Sequence, residues 1–267
     1  MLKFGFIGTG NLGGSVVKGL FNKNFLNNQN TYISEPNETI ANNFKNNYGA
    51  NIVTDNNTLV EMTDVIFIAV KPFYMTEVLN SIKEKLTKNK LVISLAAGYT
   101  LEMMEEISNE CRFVRVLTNT PAALNSATST ISKGKNATEE DIKLVEEIFS
   151  LIGSASVIDE KFMDLSTALA GSGPAFFYAV ANAFAKGCEE IGLDKDVSIL
   201  MSAQTMLGAA KMLLDSGKDP ETLIKEVTTP NGCTYAGLKF MEEKNVEKHL
   251  AETMVVTTNR AATLAQK

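Results

Sequence analysis

The sequence predicts an α/β fold in which a doubly wound, mainly parallel sheet is followed by an all-α half. Three observations carry that reading. Up to about residue 158, short β-branched runs alternate with helix-length amphipathic stretches, the pattern of βαβ units. Two of those runs, Asp64–Val70 and Leu91–Leu95, are almost continuously apolar, as in central strands covered by helices on both faces. From about Glu160 onward the strand signal gives way to apolar residues at three- and four-residue spacing.

Taken in order, the strands are expected at Lys3–Ile7, Thr31–Ser34, Asn51–Val53, Asp64–Val70, Leu91–Leu95 and Arg112–Leu117, with two later ones at Ala127–Ser132 and Ser154–Ile158. Helical periodicity then runs through Phe176–Ile191, Val197–Leu214, Leu223–Val227, Tyr235–Met241 and Val246–Leu264. With 267 residues the chain has room for two domains, each with its own core, and the change of pattern divides it into 1–159 and 160–267. The later helices carry apolar residues on more than one face, among them Ala179, Val180, Ala183, Phe184, Met201, Met206, Leu207, Leu213 and Leu214. A small bundle cannot cover all of these alone, so a homo-oligomer is expected.

Composition removes several classes of function. A net charge of -6 with no basic run interleaved with aromatics argues against nucleic acid as a partner. The longest apolar runs, such as Val65 to Val70, have strand length, so no membrane span is expected. Met1 to Ile7 pass directly into a strand, leaving no room before it for a targeting peptide, and a cytoplasmic protein is expected. Cys111, Cys188 and Cys233 lie far apart without a CxxC pair, and His249 is the only histidine, so no metal site is expected. His249 itself reads as structural.

The first chemistry-bearing motif is Gly8-Thr9-Gly10-Asn11-Leu12-Gly13, which follows a strand and opens a helix. This is the context of a Rossmann-type dinucleotide site. Gly8 permits the tight turn, Gly10 lets backbone approach a pyrophosphate, and Gly13 allows close helix packing, while free N–H groups and the helix dipole hold the anion. Glu35, at the end of the second strand, is placed to accept a hydrogen bond from an adenosine 2′-hydroxyl and to repel a 2′-phosphate. Taken alone it favours NAD. Ser34, Asn37 and Asn56 could instead bind a phosphate if Glu35 turns outward, which leaves NADH and NADPH both open. Ala69-Val70-Lys71-Pro72 and Ser94-Leu95-Ala96-Ala97-Gly98 end the fourth and fifth strands at the carboxyl edge, where small residues admit a flat nicotinamide. Lys71 reads equally well as a surface lysine.

Two polar breaks interrupt the helical half. Ala170-Gly171-Ser172-Gly173-Pro174 reads either as a hinge or as backbone brought close to a ligand or partner chain. Thr228-Thr229-Pro230-Asn231-Gly232-Cys233-Thr234 leads into a helix, so the N–H groups of Gly232, Cys233 and Thr234 are left to cradle a carboxylate or phosphate. The plainer alternative is that Thr229 only caps the helix.

Together, Ala168 to Phe176 and the Thr229–Thr234 turn resemble the two signature segments of the pyrroline-5-carboxylate reductases. The N-terminal glycine motif, Ala69 to Pro72, Ala96 to Gly98 and the Arg115-to-Pro121 loop fall where that family has them, so the resemblance spans the chain. It implies a Rossmann domain and an all-α oligomerisation domain, forming dimers that often assemble into decamers. It also implies reduction of L-1-pyrroline-5-carboxylate, a small cyclic imine carboxylate, to L-proline by NADPH or NADH. On that resemblance Thr229, Gly232, Cys233 and Thr234 hold the substrate carboxylate, with the Thr234 hydroxyl near the ring nitrogen as the catalytic group. Asn119 to Pro121 and Ala97 border the nicotinamide, and Asn56 the adenosine ribose. The chain departs from the family pattern at Leu117-Thr118, where Met-Pro is usual, and at Thr229, Asn231 and Cys233, where serine, glycine and threonine are usual. Other readings stand beside it: reduction of another small cyclic imine, a β-hydroxyacid dehydrogenase using Lys186 or Lys211 as its acid/base, or a nucleotide-binding protein without catalysis.

Overall fold

The computed structural model describes residues 1–264, so the last three residues of the expected second domain lie outside it. One sheet of eight strands organises the first part of the chain. The strands are β1 (Phe4–Ile7), β2 (Thr31–Ser34), β3 (Asn51–Ile52), β4 (Val65–Ile68), β5 (Leu91–Ser94), β6 (Arg112–Leu117), β7 (Ala127–Lys133) and β8 (Gly153–Val157). Their spatial order is β3-β2-β1-β4-β5-β6-β7-β8. The first six are parallel, β7 runs antiparallel to β6, and β8 is parallel to β7. All eight expected strands form, each within two residues of its expected ends.

The helices on this sheet are α1 (Asn11–Asn22), α2 (Glu38–Tyr48), α3 (Asn56–Met62), α4 (Met75–Ile82), α5 (Leu101–Ile107) and α6 (Glu139–Ser150), followed by the single turn α7 (Met163–Ser166). Two cores result, one on each face. Phe4, Phe6, Val65, Phe67, Leu91 and Ile93 point into the core with α1, α2 and α6. Ile7, Ile66, Ile68, Val92 and Phe113 point into the other, with α3, α4 and α5. Alternate residues of one strand therefore serve opposite cores, which is why the central strands are apolar at successive positions.

The remaining helices are α8 (Gly173–Glu190), α9 (Lys195–Asp215), α10 (Pro220–Glu226), α11 (Cys233–Glu243) and α12 (Val246–Ala261). Two compact units emerge: residues 1–172 with the chain from Thr257, and Gly173–Val256. In the second unit α8 and α9 carry long exposed apolar side chains, including Phe177, Tyr178, Phe184, Leu200, Met201, Leu207, Leu213 and Leu214. Helix α9 is 21 residues long and apolar enough to cross a membrane by length and composition, though no unbroken apolar run of that length exists. Scattered small polar residues such as Ser202, Gln204 and Thr205 break the run without lowering the average enough to exclude it. His249 is exposed on α12, its Nδ1 3.2 Å from Glu252 Oε2.

Candidate functional site

In the sheet, β1 lies between β2 and β4, so strand order reverses beside it and a crevice opens at the carboxyl ends. The glycine motif occupies this point. Gly8 has φ +84°, and its N–H donates to the Ser34 carbonyl at 3.0 Å, joining the turn to the end of β2. Gly13 is required by packing: a Cβ there would stand 2.6 Å from the Gly8 carbonyl oxygen and 2.7 Å from Ala69 Cβ. Gly10 is the opposite case, since a Cβ there would meet nothing within 4 Å. Its backbone faces open space at the start of α1, where Gly14 N–H makes a helical bond to the Gly10 carbonyl and no side chain caps the earlier donors. Asn11 is exposed, while Leu12 packs against the core and anchors this turn. An uncapped helix start with an unobstructed approach fits a dinucleotide pyrophosphate.

Glu35 faces the same turn. Its Oε2 accepts from Thr9 N–H at 2.7 Å and from Thr9 Oγ1 at 3.1 Å, and its Oε1 accepts from Asn37 N–H at 3.0 Å. Ser34 Oγ donates to Asn56 Oδ1 at 2.7 Å, and Asn37 Oδ1 caps α2 through Thr39 and Ile40 N–H. Ala69 and Val70, half-buried, follow β4, and Ala97, also half-buried, follows β5. Lys71 is exposed; its Nζ lies 5.8 Å from the Phe73 ring centroid, and Pro72 begins a 3₁₀ turn. That is the surface reading of this lysine.

Asn119 leaves β6 at the same edge and is buried. Its Nδ2 donates to the Ala170 carbonyl at 3.0 Å, and its Oδ1 accepts from Thr128 N–H at 3.3 Å. Ala170 belongs to a π-helical turn, Thr167–Gly171, immediately before Gly173. Asn119 thus ties the strand edge to the segment that leads into α8. Beneath it Arg115, 3% exposed, pairs with Glu160 through Nη1 at 3.1 Å and has Nη2 3.7 Å from Asp164 Oδ1, too long for a hydrogen bond. Glu160 Oε1 also accepts from Leu101 N–H at the start of α5. These links were not read from the sequence; the one trace is an arginine inside an apolar strand.

In the second unit, the Gly232 N–H donates to the Thr229 carbonyl at 3.0 Å, and Asn231 has φ 59°. Proline second and a left-handed residue third make this a type II-like turn, in which asparagine replaces the more usual glycine. The N-cap of α11 is Gly232, with no side-chain cap, which corrects the alternative that Thr229 caps the helix. The first N–H groups from Cys233 onward lack helical acceptors, because the earliest bond is Ala236 N–H to the Gly232 carbonyl. A Cβ at Gly232 would stand 2.3 Å from Thr229 Oγ1, so the turn admits only glycine without a shift. Thr229, Cys233 and Thr234 are exposed around this cradle. Cys111, by contrast, is buried in the sheet unit, where desolvation pushes its thiol up to about 12. Lys186 and Lys211 are both exposed, on α8 and α9.

Residues 160–264 match the family model for pyrroline-5-carboxylate reductase dimerisation, and residues 3–98 match that for NADP oxidoreductase, coenzyme F420-dependent. A pyrroline-5-carboxylate reductase of Methanosarcina acetivorans is 38% identical over 266 residues, covering 99% of this chain and 98% of its own. The chain belongs to the pyrroline-5-carboxylate reductase family. Another relative carrying that family name, from Arabidopsis thaliana, is 34% identical over 99% of this chain and 96% of its own. Within the family, the Plasmodium falciparum pyrroline carboxylate reductase, solved with NADP bound, is 28% identical with a TM-score of 0.90. It covers 99% of this chain and 98% of its own.

Proposed function

We propose that the chain reduces L-1-pyrroline-5-carboxylate to L-proline, the last step of proline biosynthesis, using a nicotinamide nucleotide. The observation that carries this is the intact cradle at α11: a turn in which a Cβ at Gly232 would crowd the Thr229 hydroxyl, an uncapped helix start, and hydroxyls at Thr229 and Thr234. Thr229, Gly232, Cys233 and Thr234 hold the substrate carboxylate through N–H groups and the helix dipole. The Thr234 hydroxyl stands toward the ring nitrogen. In the sheet unit, Gly8, Gly10, Asn11, Leu12 and Gly13 receive the pyrophosphate, while Ser34, Glu35 and Asn56 receive the adenosine ribose. Ala69, Val70, Lys71, Pro72, Ala97 and Asn119 border the nicotinamide.

The nucleotide, NADH or NADPH, supplies the hydride. A protonated cyclic imine accepts hydride without a strong acid beside it, so the protein's work is binding and orientation. Residues 1–159 serve the nucleotide, and 160–267 serve the substrate and the contact between subunits. The exposed apolar faces of α8 and α9 belong against a second copy in a dimer, or in a decamer built from dimers, rather than in a bilayer. The enzyme is a soluble cytoplasmic one, without nucleic acid as partner. Thr234→Ala tests the assignment: absorbance decay of the nucleotide with pyrroline-5-carboxylate should slow at least tenfold while nucleotide affinity is unchanged. Normal turnover by that variant would remove Thr234 from the site.

A further inference from the structure

We infer that this chain is built for NADH over NADPH, with Glu35 as the residue that discriminates; this rests on the reading above that the glycine crevice binds a nicotinamide nucleotide. The two nucleotides differ only at the adenosine 2′-position, where one carries a hydroxyl and the other a phosphate of about -1.5 to -2 charge. A site for the phosphate needs free donors or cations. The end of β2 carries no lysine or arginine, and the Ser34 hydroxyl and the Thr9 and Asn37 backbone donors are committed, which leaves the Asn37 and Asn56 side-chain amides. Thr9 N–H, Thr9 Oγ1 and Asn37 N–H all donate to the Glu35 carboxylate. The Ser34 hydroxyl donates to Asn56, and the Asn37 side-chain oxygen is spent on the first turn of α2.

Those same bonds decide between the two orientations open to Glu35. Three donors turn the carboxylate inward against the glycine turn, where it accepts a ribose hydroxyl and opposes an anion. The nearby charges have the same sign: Glu38 begins α2, and Asp55 caps α3. No lysine lies between Lys23 and Lys45, and no arginine precedes Arg112. The cation to be weighed against this is Lys18 on α1, which lines a cleft of about 550 Å³ together with Thr9, Gly10 and Thr39.

The test begins with direct binding, without substrate, of NAD⁺ and NADP⁺ to the full-length protein, followed by turnover of pyrroline-5-carboxylate with each reduced form. NAD⁺ should bind at least tenfold tighter than NADP⁺. Glu35→Gln should narrow that gap severalfold by tightening NADP⁺, and Glu35→Ser should narrow it further. Were Glu35 only a brace for the glycine turn, both nucleotides would weaken together and the ratio would stay put, which overturns the inference. Tighter NADP⁺ binding by the unmodified protein, lost in Lys18→Ala, would overturn it in favour of a phosphate site at Lys18. Preferential NAD⁺ binding with no imine reduction would leave the inference standing and defeat the proposed reaction instead.

Discussion

Replacing Asn119 by aspartate changes one atom of consequence. The shape is kept, and Oδ1 can still accept from Thr128 N–H, but the Nδ2 donor facing the Ala170 carbonyl at 3.0 Å becomes an oxygen. The lost hydrogen bond is worth about 0.5–1.5 kcal/mol, and leaving a buried acceptor unpaired adds about 1–3 kcal/mol. Asn119 is buried, so solvent cannot restore the partner. Together these give a destabilisation of about 1.5–4.5 kcal/mol at neutral pH. The effect should depend on pH, with a definite sign. A buried carboxyl with an oxygen opposite it has its folded-state pKa raised above the unfolded value of about 3.9. The neutral acid can donate to Ala170, so near-normal stability is present at low pH and is lost as pH rises through the folded pKa. Urea unfolding of the variant and the parent, at one fixed protein concentration because oligomers unfold with mass action, measures the difference at several pH values. A pH-independent difference, or one below about 0.5 kcal/mol at pH 7.5, would refute the proposed role of this amide as a tie between β6 and the π-helical turn.

Two further outcomes follow from the same kind of geometry. Gly13→Ala places a methyl 2.6 Å from the Gly8 carbonyl oxygen, forcing α1 away from the nucleotide turn; we expect about 1–3 kcal/mol of lost stability and weaker binding of both nucleotides, read by fluorescence titration, with unchanged affinity counting against the packing argument. Asp55 and Asp219 cap α3 and α10, and backbone N–H bonds from Thr58 and Thr222 hold their carboxyls below the ordinary 3.8. Their capping contribution is therefore present above the unfolded value and lost only as pH falls through the lowered folded value; carboxyl ¹³C NMR should show inflections below 3.8, and inflections at or above it would contradict the caps.

Much of the architecture was legible because it depends on period and spacing. The central strands of the sheet were visible as apolar runs, since side chains at successive positions face different cores. The nucleotide turn was visible because Gly8 and Gly13 answer local requirements, a positive φ and a close contact, that few other residues meet. Asn231 stands where the family has glycine and takes a left-handed backbone, which asparagine is one of the few residues to accept. In these cases the cause lies within a few residues of the effect.

Where the cause lies far along the chain, the sequence was silent. Nothing near Asn119 announces Ala170, fifty-one positions away, and nothing near Arg115 announces Glu160 and Asp164. The reading of Glu35 shows both limits at once. By its position after β2 the sequence marked it as the residue that meets the adenosine ribose, but left its orientation undecided. Only the fold brings Thr9, far along the chain, to that carboxylate, where Asn37 N–H already stands close by in sequence. A side chain with several rotamers takes the one its donors select; Asn37 stands two residues on, but Thr9 reaches the carboxylate because β1 and β2 pair side by side and bring their carboxyl ends together.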